Sequence, residues 1–200
     1  MCFDKGSGAF VAAADVLAWI RDTFVWGIGS SPLANPDHGH LALATIGVLW
    51  TNEKNASKGR EVVGTAEIFA PKGNAWQNAR QQQQLREWFG EAPDFILTFS
   101  APYATSIDDA TFCALVEHEL YHCAQALDEY GTPKFDREGV PAWTIRGHDV
   151  EQFVGVVRRY GARAAGVDAM VTAAKLAETQ PIVRATEIAG ACGTCLAKVA

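Results

Sequence analysis

Residues 116–127, VEHELYHCAQAL, contain the pattern H-E-x-x-H at His118-Glu119-Leu120-Tyr121-His122. On an α-helix, positions i and i+4 lie about 40° apart around the axis and ~6 Å apart along it, so two imidazoles so spaced can converge on one ion. The residue after the first histidine falls about 100° away. A glutamate there can reach a water beside the ion without ligating the ion, and can take that water's proton. Chance alone would put this pattern in a chain of this composition roughly once in 140 random sequences, so its surroundings have to decide.

The helical wheel supports a metal site. Taking His118 as zero, Phe112, Val116, Leu120, Cys123 and Leu127 cluster at about 120–200°, away from His118 and His122. Histidines satisfied inside a core would fall within that apolar stripe. A helix is predicted over 108–129, with Asp108 or Asp109 as its N-cap.

A catalytic zinc site needs a third protein ligand and an open fourth position. The stretch RGHDVEQFVGVVRRYG, 146–161, offers His148 at the entrance of a helix predicted from about 149 to 160. Val150, Phe153, Val154, Val157 and Tyr160 form one apolar face there, with Arg158 and Arg159 in the last turn and Gly161 as the C′ residue. His148 points away from that face, and Glu151, one turn on, is the competing third ligand. His38 and His40 in PDHGH read as solvated or turn-stabilising loop residues. Cys113 and Cys123 read as core thiols, and Tyr121 and Tyr130 as candidate oxyanion donors. Cys192 and Cys195 form C-G-T-C, half of a zinc site or a redox pair, with no second CxxC to complete a ribbon.

Elsewhere the periodicity predicts a helix over 9–25 and a long hairpin of 41–51 with 60–70. A helix over 74–90 ended by Gly90, a strand over 94–100 and an Ala-rich helix over 164–178 follow. No internal repeat or domain boundary stands out. The 200 residues are expected to form a single domain (1–200), with a core over about 9–161 and a helical extension over 162–200 ending in the CxxC tail. A formal charge of −6 gives no global attraction to nucleic acid or anionic membranes. The most apolar run, 41–50, is too short to span a bilayer. The N-terminus lacks the basic and apolar regions of a signal peptide, and the odd, scattered cysteines suggest reduced thiols, so a cytoplasmic location is expected.

With HELYH and GHDVEQF both identified, the chain resembles the SprT-like and Spartan-like metallopeptidases, in which H-E-x-x-H is followed downstream by a third histidine at a helix start. Asp149 stands where that group often has Gly. The chain is more similar still to the phage metallopeptidases. That likeness is carried by DDATFCALVEHELYHC, the preceding strand DFILTFS, GHDVEQFVGVVRRYG and HLALATIGVLWTNEKNASKGREVVGTAEI, and it spans about residues 10–161. The resemblance implies an α+β, zincin-like fold, a small mixed sheet packed on helices with the H-E-x-x-H helix at the cleft. It implies Zn²⁺ held by His118, His122 and His148, with Glu119 as general base and a protein or peptide as substrate. It also implies a strand at the cleft edge that pairs with substrate, for which Asp94–Ser100 is the candidate. SprT-like proteins often add a zinc ribbon or DNA-binding segment, and neither is recognisable here. Two alternatives stand beside the peptidase. One is a zinc-stabilised binding module docking a host or phage protein, marked by a fourth protein ligand such as Asp149, Glu151 or a cysteine. The other is a DNA-associated protease using Lys134, Arg137, Arg146, Arg158, Arg159 and Arg163, residues that otherwise read as a solvated face.

Overall fold

A computed structural model describes residues 9–27, 31–179, 181–184 and 186–188 of the chain. Strand β1 (Phe10–Ala12) leads into helix α1 (Ala14–Ile20), which widens into a π-helical turn (Arg21–Val25), and a 3-10 helix (Pro36–Leu43) precedes β2 (Ile46–Thr51). Next come β3 (Asn55–Ser57), β4 (Arg60–Val62), β5 (Gly64–Glu67), α2 (Ala75–Phe89), β6 (Phe95–Ser100) and the short α3 (Ala101–Ala104). The motif helix α4 (Asp109–His122), β7 (Cys123–Gln125), β8 (Trp143–Ile145), α5 (Val154–Ala164) and α6 (Asp168–Thr179) complete the order.

The two most apolar runs, β2 and β6, lie side by side and parallel, within a sheet ordered β1-β2-β6-β5 whose outer strands run antiparallel to their neighbours. Because side chains alternate along a strand, the register Ile46↔Phe95, Val48↔Leu97 and Trp50↔Phe99 places these large residues on one face. That face meets Ile20 and Phe24 from the α1 region and Val116 and Leu120 from α4, all fully buried. The rings of Trp19 and Trp50 both stack on Phe112 of α4 and fix its height over the sheet. Leu49 and Ile96 on the other face pack against Leu85 and Phe89 of α2. A Cβ at position 47 would lie 2.7 Å from the Phe89 ring, so any residue larger than glycine there must displace that ring. The α2 helix starts at a capping box of Asn74 with Gln77 and stops at Gly90, φ 83°, close to the 74–90 expectation. The result is a mixed α/β architecture of small sheets and helices.

Several expectations are corrected. The 9–25 helix gives up residues 10–12 to the sheet, where Phe10–Ala12 pair with Leu49–Thr51. Segments 41–51 and 60–70 do not form a hairpin. β2 lies between β1 and β6, while β5 pairs with β6. The local hairpin is β3–β4, closed by Lys58 and Gly59, both at positive φ as a tight two-residue hairpin turn requires. The strand at 94–100 exists but is interior, flanked by β2 and β5, so it cannot be the substrate-pairing edge. The edge beside α4 is β5. The motif helix stops at His122 and not at 129, because Cys123–Gln125 are drawn into pairing with Trp143–Ile145. Leu127, expected in its apolar stripe, is exposed. The next helix begins at Val154, so His148 sits on the loop after β8, ahead of any helix. Gly161, φ 79°, breaks that helix where a C′ residue was expected.

The expectation of no internal repeat is also corrected, since a short one lies between β7 and β8. Asp128–Pro133 and Asp136–Pro141 share the pattern D-x-x-G-x-P. In each copy the Asp Oδ1 accepts two backbone N–H groups, from Tyr130 and Thr132 and from Glu138 and Val140, and the glycine has φ 79°. Ala126, Lys134 and Ala142 close a ring of backbone hydrogen bonds: Ala126 N–H to Ala142 O (2.7 Å), Ala142 N–H to Lys134 O (2.9 Å) and Lys134 N–H to Ala126 O (2.8 Å). This cross-bonded connector links His122 to the loop carrying His148.

Candidate metal centre

The helix α4 is launched by Asp108, whose side chain accepts the Thr111 N–H at 2.7 Å, and these bonds to the charged form hold its carboxyl below the usual range. Cys113, Val116, Glu119 and Leu120 face inward, while His118 is exposed and His122 half-buried on the open side. The wheel's separation of the histidines from the apolar stripe therefore holds in three dimensions, with Glu119 turned beneath the surface.

The β7–β8 pairing brings Arg146 back beside the end of α4. Its backbone N–H donates to His122 O at 2.9 Å, and its carbonyl lies 2.6 Å from His122 Nδ1. A carbonyl only accepts, so this contact puts the His122 proton on Nδ1 and leaves Nε2 as a lone pair facing outward. The loop then delivers His148. The Nε2 atoms of His122 and His148 each lie 3.2 Å from His118 Nε2, and one nitrogen from each ring falls within 4.8 Å of the other two. Partial desolvation of the ring by the surrounding protein, with the neighbouring His122 and His148, lowers the His118 pKa and favours the neutral imidazole that a metal requires. With the three rings neutral, these nitrogens can all turn lone pairs toward one shared cation. The donor set suits a tetrahedral N-ligated ion such as zinc.

Glu119 lies under this cluster, only 4% exposed. Burial raises its pKa to about 7, partly offset by His122 and by a hydrogen bond from the Ala66 backbone N–H. The same β5 strand supplies Gly64, where a Cβ would lie 2.6 Å from Glu119 Oε1 and 3.0 Å from Leu115 Cδ1. Only a glycine lets the strand and the carboxylate come this close.

Among the other candidates, Glu151 stands behind His148, 3.7 Å from its Nδ1 and outside the convergence of nitrogens. Asp149 binds the Arg146 guanidinium. Cys123 is a buried thiol whose pKa is pushed up to about 12 by burial and by Glu119, and Cys113 is likewise buried. Tyr130 projects from the first repeat turn, and Tyr121 is engaged by Asn35 and Asp37 on the flank of α4. His38 and His40 are not solvated loop residues. They lie in the 3-10 helix, with His38 fully buried and His40 bonded to Cys123 O. The expected apolar face of α5 leaves Phe153, Val154 and Tyr160 exposed, with the Arg159 guanidinium over the Tyr160 ring. Cys192 and Cys195 fall outside the described residues. The sequence reading missed Gly64, Ala66 and the Arg146 backbone. Gly64 alone carried a sequence signal, as a glycine inside a β-type run.

No helix among the described residues is long and apolar enough to cross a membrane. A family model described as putative phage metallopeptidase matches residues 17–175. No curated protein and no solved structure matches the chain.

Proposed function

The chain belongs to the phage metallopeptidase family, and from that footing we propose that it is a zinc-dependent peptidase of the zincin type, with His118, His122 and His148 as metal ligands and Glu119 as general base. The observation that carries this reading is the convergence of three imidazole nitrogens within 4.8 Å, above a carboxylate that is almost fully buried. When bound, zinc supplies Lewis acidity, acidifying a water and polarising the scissile carbonyl.

The residues of the chain divide the remaining work. Arg146 O fixes the His122 tautomer, and Glu151, behind His148, favours a proton on Nδ1 of that ring. Among the described residues no fourth His, Cys, Asp or Glu joins the group, which favours an open catalytic position over a closed structural site and so favours an enzyme over a binding module. Glu119 takes a proton from the attacking water and passes it to the leaving amine. In the metal-free chain burial holds its pKa up at about 7. Among the described residues strand β5 pairs with β6 alone, so its outer edge, next to Glu119, is the place for an extended peptide to add through the backbone groups that Glu119, bonded to the Ala66 N–H, leaves free.

The test is metal content by native mass spectrometry, followed by peptide hydrolysis by wild type and Glu119→Gln. A single zinc per chain, retained in Glu119→Gln with turnover nearly abolished, is expected. A chain that takes up no zinc when zinc is offered, or a Glu119→Gln variant with undiminished turnover, overturns the proposal.

A further inference from the structure

The ligand His122 is the last residue of α4, in the turn where a helix has carbonyls without intrahelical partners and tends to fray. A metal ligand there is well placed only if that end is held. Cys123 N–H donates to Leu120 O, Cys123 Sγ lies 3.4 Å from Glu119 O, and Arg146 N–H takes His122 O. Cys123 O is taken by His40 Nε2 at 2.8 Å, reaching across from the 3-10 helix.

The same 3-10 helix also grips the flank of α4. Asn35, its N-cap, donates from Nδ2 to Glu117 Oε1 at 2.7 Å and lies 2.9 Å from the Tyr121 hydroxyl, which donates to Asp37 Oδ2 at 3.0 Å. His38, 0% exposed, packs edge-on to the Tyr121 ring at 4.7 Å, with its Nε2 3.6 Å from Glu117 Oε1. Among the described residues neither His38 ring nitrogen has a partner at normal hydrogen-bond distance, and the Glu117 carboxylate is the charged group it faces. Glu117 and Tyr121 are one helical turn apart, and each immediately precedes a candidate ligand, His118 and His122. Holding these two side chains and the Cys123 carbonyl fixes both the rotation of α4 about its axis and the end from which His122 projects.

We propose that Asn35 and the helix Pro36–Leu43 form a positioning clamp for the metal centre, with His40 pinning the end of α4 and the Asn35–Asp37–His38 group pinning its flank. This rests on the metal-centre reading above. The clamp sets the azimuth and spacing of the His118–His122 pair, so its loss loosens metal coordination before it unfolds the protein.

The experiment compares full-length wild type, His40→Ala, His40→Gln and Tyr121→Phe. Zinc affinity is read by chelator competition, coordination geometry by the visible absorption of the cobalt(II)-loaded protein, and stability by thermal unfolding of the metal-free form. Partners bonded directly to metal ligands typically matter by about 10- to 100-fold in affinity. His40 acts one residue removed, through Cys123 O, so His40→Ala is expected to lose about tenfold, the low end of that range, and to shift the cobalt bands. His40→Gln, which keeps an N–H donor of similar reach, recovers most of that loss, and a merely structural role would leave the cobalt spectrum of the folded protein unchanged. Zinc affinity within twofold of wild type in His40→Ala, with an unaltered cobalt spectrum, overturns the clamp alone. If His40→Ala does not fold, Tyr121→Phe, which removes only the hydroxyl held by Asn35 and Asp37, is read the same way. A wild type that takes up neither metal overturns the metal-centre reading and the clamp with it.

Discussion

Replacing Glu119 by Gln separates the electrostatic cost of the buried carboxylate from its chemistry. In the folded chain this group's pKa rises from 4.5 to about 7, with burial as the main cause. Between those values the folded state holds a proton that the unfolded state has released, so the contribution of Glu119 to stability falls as pH rises through that window and is flat beyond it. At about 1.4 kcal/mol for each factor of ten in acidity, the full penalty above neutrality is on the order of 3 kcal/mol. Glutamine has nearly the same shape and no charge, so the metal-free variant is expected to be more stable than wild type by about 1–3 kcal/mol at pH 8 and nearly equal to it at pH 4.5. His118 works in the opposite sense. Its lowered pKa means that stability is lost as pH falls below 6.5. That contribution is common to both proteins and largely cancels in their difference. The assay is urea denaturation of chelator-treated wild type and variant at several pH values from 4.5 to 8. A variant less stable than wild type at pH 8, or a difference that does not change with pH, would refute the reasoning. It would mean that Glu119 is solvated or paired, and not held at the cost of desolvation.

Gly64→Ala should push the Glu119 carboxylate aside through its 2.6 Å approach, lowering peptide turnover by roughly 10- to 100-fold while zinc stays bound, as paired kinetics and metal analysis would show. His148→Ala should lose zinc in a chelator competition. Glu151→Gln, changed at an exposed side chain 3.7 Å behind His148, should shift zinc affinity by less than about tenfold. Adding zinc at about 100 times its dissociation constant should raise the unfolding free energy by about 2.7 kcal/mol, a gain that chelation reverses. Leu120→Ala, at a fully buried contact of α4 with the sheet, should cost about 2–5 kcal/mol in denaturant titration.

By itself the sequence determined what depends on spacing along one element. The i, i+4 histidines with their glutamate, the opposed apolar stripe of Val116 and Leu120, the Asp108 cap, the 74–90 helix with its glycine stop and the apolar run of β6 all follow from local periodicity and capping chemistry. The 17–175 family match agrees with the resemblance drawn from two short motifs. Tertiary structure decided what depends on partners distant along the chain. Three residues of a helical pattern became β1 because β2 offered a free edge. The motif helix stopped at His122 because β8 competed for the next three residues. β6 proved interior and β5 the edge, since strand order is set by which faces bury together and not by the strands' own composition. Only the folded chain brings the loop-borne His148 to the other two histidines, puts Gly64 and Ala66 against Glu119, and sets two apparently ordinary loop histidines, His38 and His40, against the motif helix. Proximity of residues dozens of positions apart leaves no periodic trace in the sequence, because the burial that drives it is summed over the whole core.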